Sequence, residues 1–155
     1  MSKLIVLSGI PGAGKSTWAT DYASKHNNTI VLSTDALRFE LFGNYLINQD
    51  NEKIMRSILL ERARAAAKQN IDVVLDSAVV KNKGRMRWVN QLADAGFTYK
   101  ELIIFEAPFD ICLERNRLRD RHVPEDVMKQ MYDWKEEPSD EVVQAFDNII
   151  KIQTS

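Results

Sequence analysis

Short apolar runs rich in β-branched residues recur along this chain, and each is followed by a longer stretch with apolar positions at helical spacing. Residues 3–8, 29–33, 72–76, 101–105 and 148–152 read as strands. The first two and the run Val73-Val74-Leu75 are continuously apolar, as strands buried on both faces should be. Between them, residues 15–26, 35–42, 52–69, 83–96, 109–121 and 124–135 read as helices. The longest places Ile54, Met55, Ile58, Leu59, Ala65 and Ala66 along one side, and Gly96 marks the end of another. The one loop-like break near the end, 136–140, is too short to separate domains. Strands alternating with helices imply right-handed crossovers and a parallel sheet covered on both faces. The expected fold is therefore α/β: a single-domain three-layer α/β/α sandwich over residues 1–155, with a central parallel sheet of about five strands.

Composition narrows the class of partner. Of 155 residues, 45% are apolar and 28% charged, which excludes a disordered or fibrous chain. Lys and Arg number 21 against 22 Asp and Glu, for a formal charge of −1. A protein that grips long nucleic acid with its whole surface should be more basic, so any attraction for phosphate is local. The single Cys112 cannot form an internal disulfide, which suits a reducing compartment. No apolar run approaches the ~18–20 residues needed to cross a bilayer, and the N-terminus enters a strand without a signal peptide. The expectation is a soluble, cytoplasmic protein.

The chemistry begins where the first strand ends. Gly9-Ile10-Pro11-Gly12-Ala13-Gly14-Lys15-Ser16-Thr17 fits G-x-x-x-x-G-K-[ST] between a strand and a helix, the setting of a phosphate-binding P-loop. Glycines let successive N–H groups curl around phosphate oxygens, and the following helix presents its N-terminus to the same anion. Gly9, Pro11, Gly12, Ala13, Gly14 and Thr17 would form this cradle for ATP. Lys15 would reach the β- and γ-phosphates, and the Ser16 hydroxyl would bind Mg²⁺. A dinucleotide fingerprint is excluded, because Thr17 stands where the third glycine belongs. Asp76, at the end of an apolar strand, has the place of a Walker B acid holding Mg²⁺ directly or through water.

Asp35 and Arg38 follow the second strand in Ser33-Thr34-Asp35-Ala36-Leu37-Arg38. Carboxyl ends of parallel strands form the ligand crevice, so this segment opens beside the P-loop. Three residues apart on a helix, the acid and the guanidinium share a face. Asp35 can take a proton from an attacking hydroxyl while Arg38 holds the acceptor or its phosphate. Ser33, Thr34 or Asp35 can equally cap the helix, but with three candidates Asp35 is not needed for that. Further on, Arg115 and Arg119 are four apart and could clamp a triphosphate, with Arg119 the leading candidate. Arg117 and Arg121 form the opposite, solvated pair beside Glu114 or Asp120. Lys81, Lys83, Arg85 and Arg87 with Trp88 read in two ways: as phosphate contacts with a stacking ring, or as a solvated helix face with Trp88 in the core. Trp18, Trp134, Met128 and Met131 read as packing residues, and His26 and His122 have no metal-ligand spacing.

Taken together, the P-loop Gly-Ile-Pro-Gly-Ala-Gly-Lys-Ser-Thr-Trp, the Thr-Asp-Ala-Leu-Arg segment, Asp76, Arg115-Asn116 with Arg119, and Val123-Pro124-Glu125-Asp126-Val127 resemble the 5′-kinase module of phage polynucleotide kinases. Order and approximate spacing match from Lys3 to about Tyr132. The resemblance implies a P-loop kinase fold with an Arg-rich helical lid at about 109–135, using ATP and Mg²⁺. It implies Asp35 as general base for an acceptor 5′-hydroxyl, Arg38 on the adjoining phosphate, and Asp76 on the acceptor side; Arg87, from the basic cluster after Asp76, is a further candidate for substrate binding. Lys15, Arg115 and Arg119 would serve the donor phosphates. The phosphatase module of the phage enzyme has no counterpart in these residues. Two other readings stand beside this one: a kinase of a small metabolite, nucleoside or sugar nucleotide, which the near-neutral charge favours, and a nucleotide-dependent switch without transfer. A switch has no use for the Asp35–Arg38 pair or for several lid arginines.

Overall fold

The computed structural model describes residues 2–119 and 123–154. In chain order the elements are β1 (Ser2–Ser8), α1 (Lys15–Lys25), β2 (Thr29–Ser33), α2 (Thr34–Phe42), α3 (Gln49–Lys68), β3 (Asp72–Val79), α4 (Asn82–Gln91), β4 (Phe97–Glu106), α5 (Phe109–Arg117), α6 (Glu125–Trp134), α7 (Asp140–Ala145) and β5 (Asn148–Gln153). The strands form one parallel five-stranded sheet in the order β2-β3-β1-β4-β5. The expected three-layer α/β/α architecture is the one observed.

Alternation along β1 explains the layers. Leu4 and Val6 join a core with Leu37 of α2, Met55 and Leu59 of α3, Trp88 of α4 and Val142 of α7. Ile5 and Leu7 point into a second core with Ala19 of α1, Cys112 of α5 and Met128 of α6. Because successive strand residues face opposite ways, an uninterrupted apolar run is what a sheet covered on both faces requires. Each fully buried Leu or Met contributes roughly 1.5–3 kcal/mol of transfer free energy to these cores.

Several boundaries differ from the sequence reading, each for a local reason. β2 is an edge strand and half-buried throughout, not fully buried. β3 does not stop at Asp76. Leu7 pairs with Asp76 but Ser8 pairs with Val79, so Ser77 and Ala78 bulge out of register and the strand continues beyond the acid. α3 starts earlier than expected because Asn48 caps it, its side chain accepting from Asn51 N at 2.8 Å. α4 ends at Gln91, and α5 ends at Arg117. The expectation of helix through Arg121 lies partly outside the described residues. The unexpected α7 falls within and beyond the presumed loop; Ser139 caps it and Val142 anchors it in the core.

Candidate active site

The P-loop leaves β1 at the centre of the sheet, and its conformation is set by glycine. Gly12 has φ +85, and a Cβ there would lie 2.5 Å from the backbone oxygen of Cys112. The missing side chain therefore lets α5 rest directly on the loop. Gly14, at φ +101, is the N-cap of α1, which has no side-chain cap bond and no acidic residue in its first turn. Its N-terminal positive end is thus not neutralised within the helix, which suits an anion.

Lys15 is buried, and its Nζ donates to the carbonyls of Gly9 at 2.7 Å and Ile10 at 3.0 Å. Burial lowers its pKa to about 8; Asp76 and Asp35 oppose that shift, while the Arg119 charge adds to it. An ammonium destabilised in this way gains from an arriving phosphate. Ser16 Oγ donates to Asp76 Oδ2 at 2.7 Å. Adjacent hydroxyl and carboxylate oxygens are the hard donor set that Mg²⁺ takes, so these residues fit the expected metal. The bulge after Asp76 brings Ser77 and Ala78 to the same wall.

Above the loop a single cleft of about 1070 Å³ is lined by P-loop residues, Trp18, Asp76, Asp35 and Tyr45. This is at the upper end of the roughly 300–1,000 Å³ of ordinary ligand pockets, room for a donor and an acceptor together. Arg115 and Arg119 both line it, although α5 ends before Arg119. Arg115 Nη1 also donates to Gly12 O at 3.1 Å, so α5 and the P-loop are joined by a charged hydrogen bond. Asn116 is buried and clasps Val123 in both directions, donating to its carbonyl at 2.7 Å and accepting from its N–H at 3.0 Å. Thr154, just past β5, donates to Ala13 O at 3.1 Å and lines the cleft from the other side.

At the end of β2, Ser33 caps α2 by accepting from Ala36 N at 3.2 Å, so the cap does not occupy the Asp35 carboxylate. Arg38 Nη1 donates to Asp35 Oδ1 at 2.8 Å. Glu52 of α3 holds the same guanidinium in a fork, at 2.7 Å to Nε and 3.1 Å to Nη2. Although burial opposes it, these two carboxylates raise the Arg38 pKa above its ordinary value. Arg38, expected to hold the acceptor, does not line the cleft, and its hydrogen-bond partners are the Asp35 and Glu52 carboxylates. Glu52 was missed by sequence reasoning; it lies too far from Arg38 in the chain for any local spacing to announce it.

The basic cluster of α4 divides. Arg85 is 1% exposed and bonds Ser8 Oγ, Asn82 Oδ1 and Glu136 O. Trp88 is in the core. Lys81, Lys83 and Arg87 are exposed, and none lines the cleft, so Arg87 is not brought to the acceptor side. Trp134, expected to pack, is 48% exposed beneath Lys81, whose Nζ lies 4.2 Å from the ring centroid. Trp18 packs against the second core as expected, stacking on Tyr22, and also lines the cleft. Arg117 pairs with Glu125 of α6, while Asp120, expected beside it, lies outside the described residues. Arg121 and His122 lie outside the described residues.

A family model described as an AAA domain matches residues 4–138. The chain belongs to the AAA domain family. Within it, the P-loop and the parallel sheet give this AAA domain a P-loop fold that several distinct kinases share. It is 28% identical over 139 residues to an L-seryl-tRNA(Sec) kinase of Methanococcus maripaludis, covering 87% of this chain and 53% of that one. It superposes with a TM-score of 0.75 and 20% identity on a chain of the Pnkp1/Rnl/Hen1 RNA repair complex, covering 85% of this chain and 43% of that one. A gluconokinase from Sinorhizobium meliloti gives a TM-score of 0.64 at 18% identity, covering 99% and 83%. The two structural likenesses establish the fold alone. The AAA domain thus spans about half the length of the curated relative and less of the repair-complex chain. Among the described residues, no helix is long and apolar enough to cross a membrane.

Proposed function

We propose that this AAA domain is an ATP-dependent kinase that transfers the γ-phosphoryl group of ATP to the 5′-hydroxyl of a polynucleotide. The observation that carries the reading is Asp35, oriented by Arg38 and Glu52, in the same cleft as Lys15 and the Ser16–Asp76 pair. In the reaction the acceptor oxygen forms a bond to the γ-phosphorus as the bond to the β–γ bridging oxygen breaks and ADP departs. The acceptor proton passes to Asp35 Oδ. Lys15, Arg115 and Arg119 balance the charge that spreads over the phosphoryl oxygens and the leaving group. Ser16 and Asp76 would hold Mg²⁺, which when bound supplies further neutralisation of the phosphates. A local site of this kind is compatible with a chain of formal charge −1, since only a strand end has to be held.

The curated relative favours a second reading, in which the acceptor hydroxyl is that of a seryl group carried on a tRNA. One experiment separates the two and also tests the small-acceptor case. Labelled γ-phosphate from ATP is offered with 5′-hydroxyl DNA and RNA oligonucleotides, seryl-tRNA, nucleosides and gluconate. Label on oligonucleotide 5′ ends supports the first reading. Label only on seryl-tRNA or on a small acceptor overturns it.

A further inference from the structure

The cleft has an aromatic wall that neither the P-loop nor the Asp35–Arg38 pair accounts for. Gly43, at φ +67, ends α2 with its N–H bonded to Phe39 O at 2.8 Å and turns the chain back over the helix. The returning loop lays Tyr45 on Phe39, with ring centroids 5.0 Å apart and planes 20° from parallel. Phe39 is one helical turn beyond Asp35, so the pair sits next to the proposed base. Tyr45 lines the cleft there, while Phe39 is 51% and Leu46 79% exposed. Large apolar side chains left in water around a cleft mouth mark a surface that a ligand covers. Tyr45 shares the cleft wall with Asp35, and Phe39 beneath it stands one helical turn from that carboxylate, so the pair is assigned to the acceptor that Asp35 would serve.

We propose that Tyr45, backed by Phe39, is the wall on which the terminal base of the acceptor strand stacks while its 5′-hydroxyl meets Asp35. This inference rests on the polynucleotide 5′-kinase reading and sharpens it: the site recognises a base-bearing end, not a bare sugar-phosphate. Every base has a π-face, so such a wall tolerates any sequence, and a stacked base is worth roughly 1–3 kcal/mol. Tyr45 is thus a specificity-determining residue, and Phe39 positions its ring.

The test compares phosphorylation of a 5′-hydroxyl oligonucleotide with that of the same strand carrying an abasic 5′-terminal nucleotide. The wild-type protein is expected to favour the base-bearing end by about 5- to 150-fold in kcat/KM, as that stacking energy implies. Tyr45→Ala should bring the preference close to one, because the base-bearing end loses what the abasic end never had. Tyr45→Phe should retain it. Equal use of the two ends by the wild type, or a preference that survives Tyr45→Ala, overturns the stacking wall while leaving the kinase reading standing. No transfer to either end overturns the kinase reading and the stacking wall with it.

Discussion

Substituting Gly12 by alanine perturbs the contact on which the donor side of the cleft is built. The new Cβ would stand 2.5 Å from the carbonyl oxygen of Cys112 and 3.1 Å from its carbonyl carbon and Cα, all of them backbone atoms of α5. Relief requires the loop or the helix to move, a form of overpacking worth about 1–3 kcal/mol. The φ of +85 adds about 1–2 kcal/mol of left-handed strain for a residue with a Cβ. Together these give a loss of about 2–5 kcal/mol, or roughly 4–20 °C in Tm for a chain of this size. Gly43→Ala provides the control: its φ is +67, but nothing lies within 4 Å of the added atom. Only the strain applies there, about 1–2 kcal/mol and roughly 2–8 °C. Thermal unfolding followed by circular dichroism, with and without ATP, reads both quantities. Gly12→Ala should also lose most of the ATP-dependent rise in Tm, because the moving helix carries Arg115 away from Gly12 O. Equal losses in the two variants, or an undiminished response to ATP in Gly12→Ala, would refute the claim that α5 and the P-loop are in contact through this glycine.

Two other residues give independent checks. Burial holds Lys15 near pKa 8 in the folded protein, against 10.5 as its ordinary value. Between those pH values the unfolded chain binds a proton that the folded one has released, so stability rises with pH across the window. Below about pH 8 both states are charged and the whole penalty remains, on the order of 3 kcal/mol. Lys15→Met should lack this rise, and urea unfolding of both proteins at pH 7.5, 8.5 and 9.5 reads the difference; parallel pH profiles would contradict the buried ammonium. Arg85→Ala should lower stability by about 3 kcal/mol or more, since it empties a buried site and strips partners from Ser8, Asn82 and Glu136. Arg87→Ala on the exposed side of the same helix should stay within about 0.5 kcal/mol, and equal effects in denaturant titration would contradict the division of the cluster.

The contrast between Arg85 and Arg87 shows what sequence could and could not reveal. The strands and the P-loop were legible because their signals are local: an apolar run, a glycine pattern, a lysine at fixed spacing. The Asp35–Arg38 pair was legible for the same reason, being one helical turn apart. Glu52 was not, because its bond to Arg38 depends on how α3 packs across α2. Arg85 and Arg87 are equivalent in composition, and only the docking of α4 on β1 and the 136–137 segment sends one inward to Ser8. The extension of β3 beyond Asp76 was hidden because a bulge disrupts the apolar run that identifies a strand. Tyr45 lies in the short loop after α2, where no periodicity applies, and its place in the cleft is set by the turn at Gly43.

The central claim is that Asp35 removes the acceptor's proton in a cleft that binds ATP without its help. Single-turnover phosphorylation of a 5′-hydroxyl oligonucleotide by Asp35→Asn, alongside its equilibrium affinity for ATP, tests this most directly. The account predicts a rate lower by about 10²–10⁴, with ATP affinity within a factor of about three of wild type. A rate close to wild type, or an ATP affinity that falls in parallel with the rate, would contradict it.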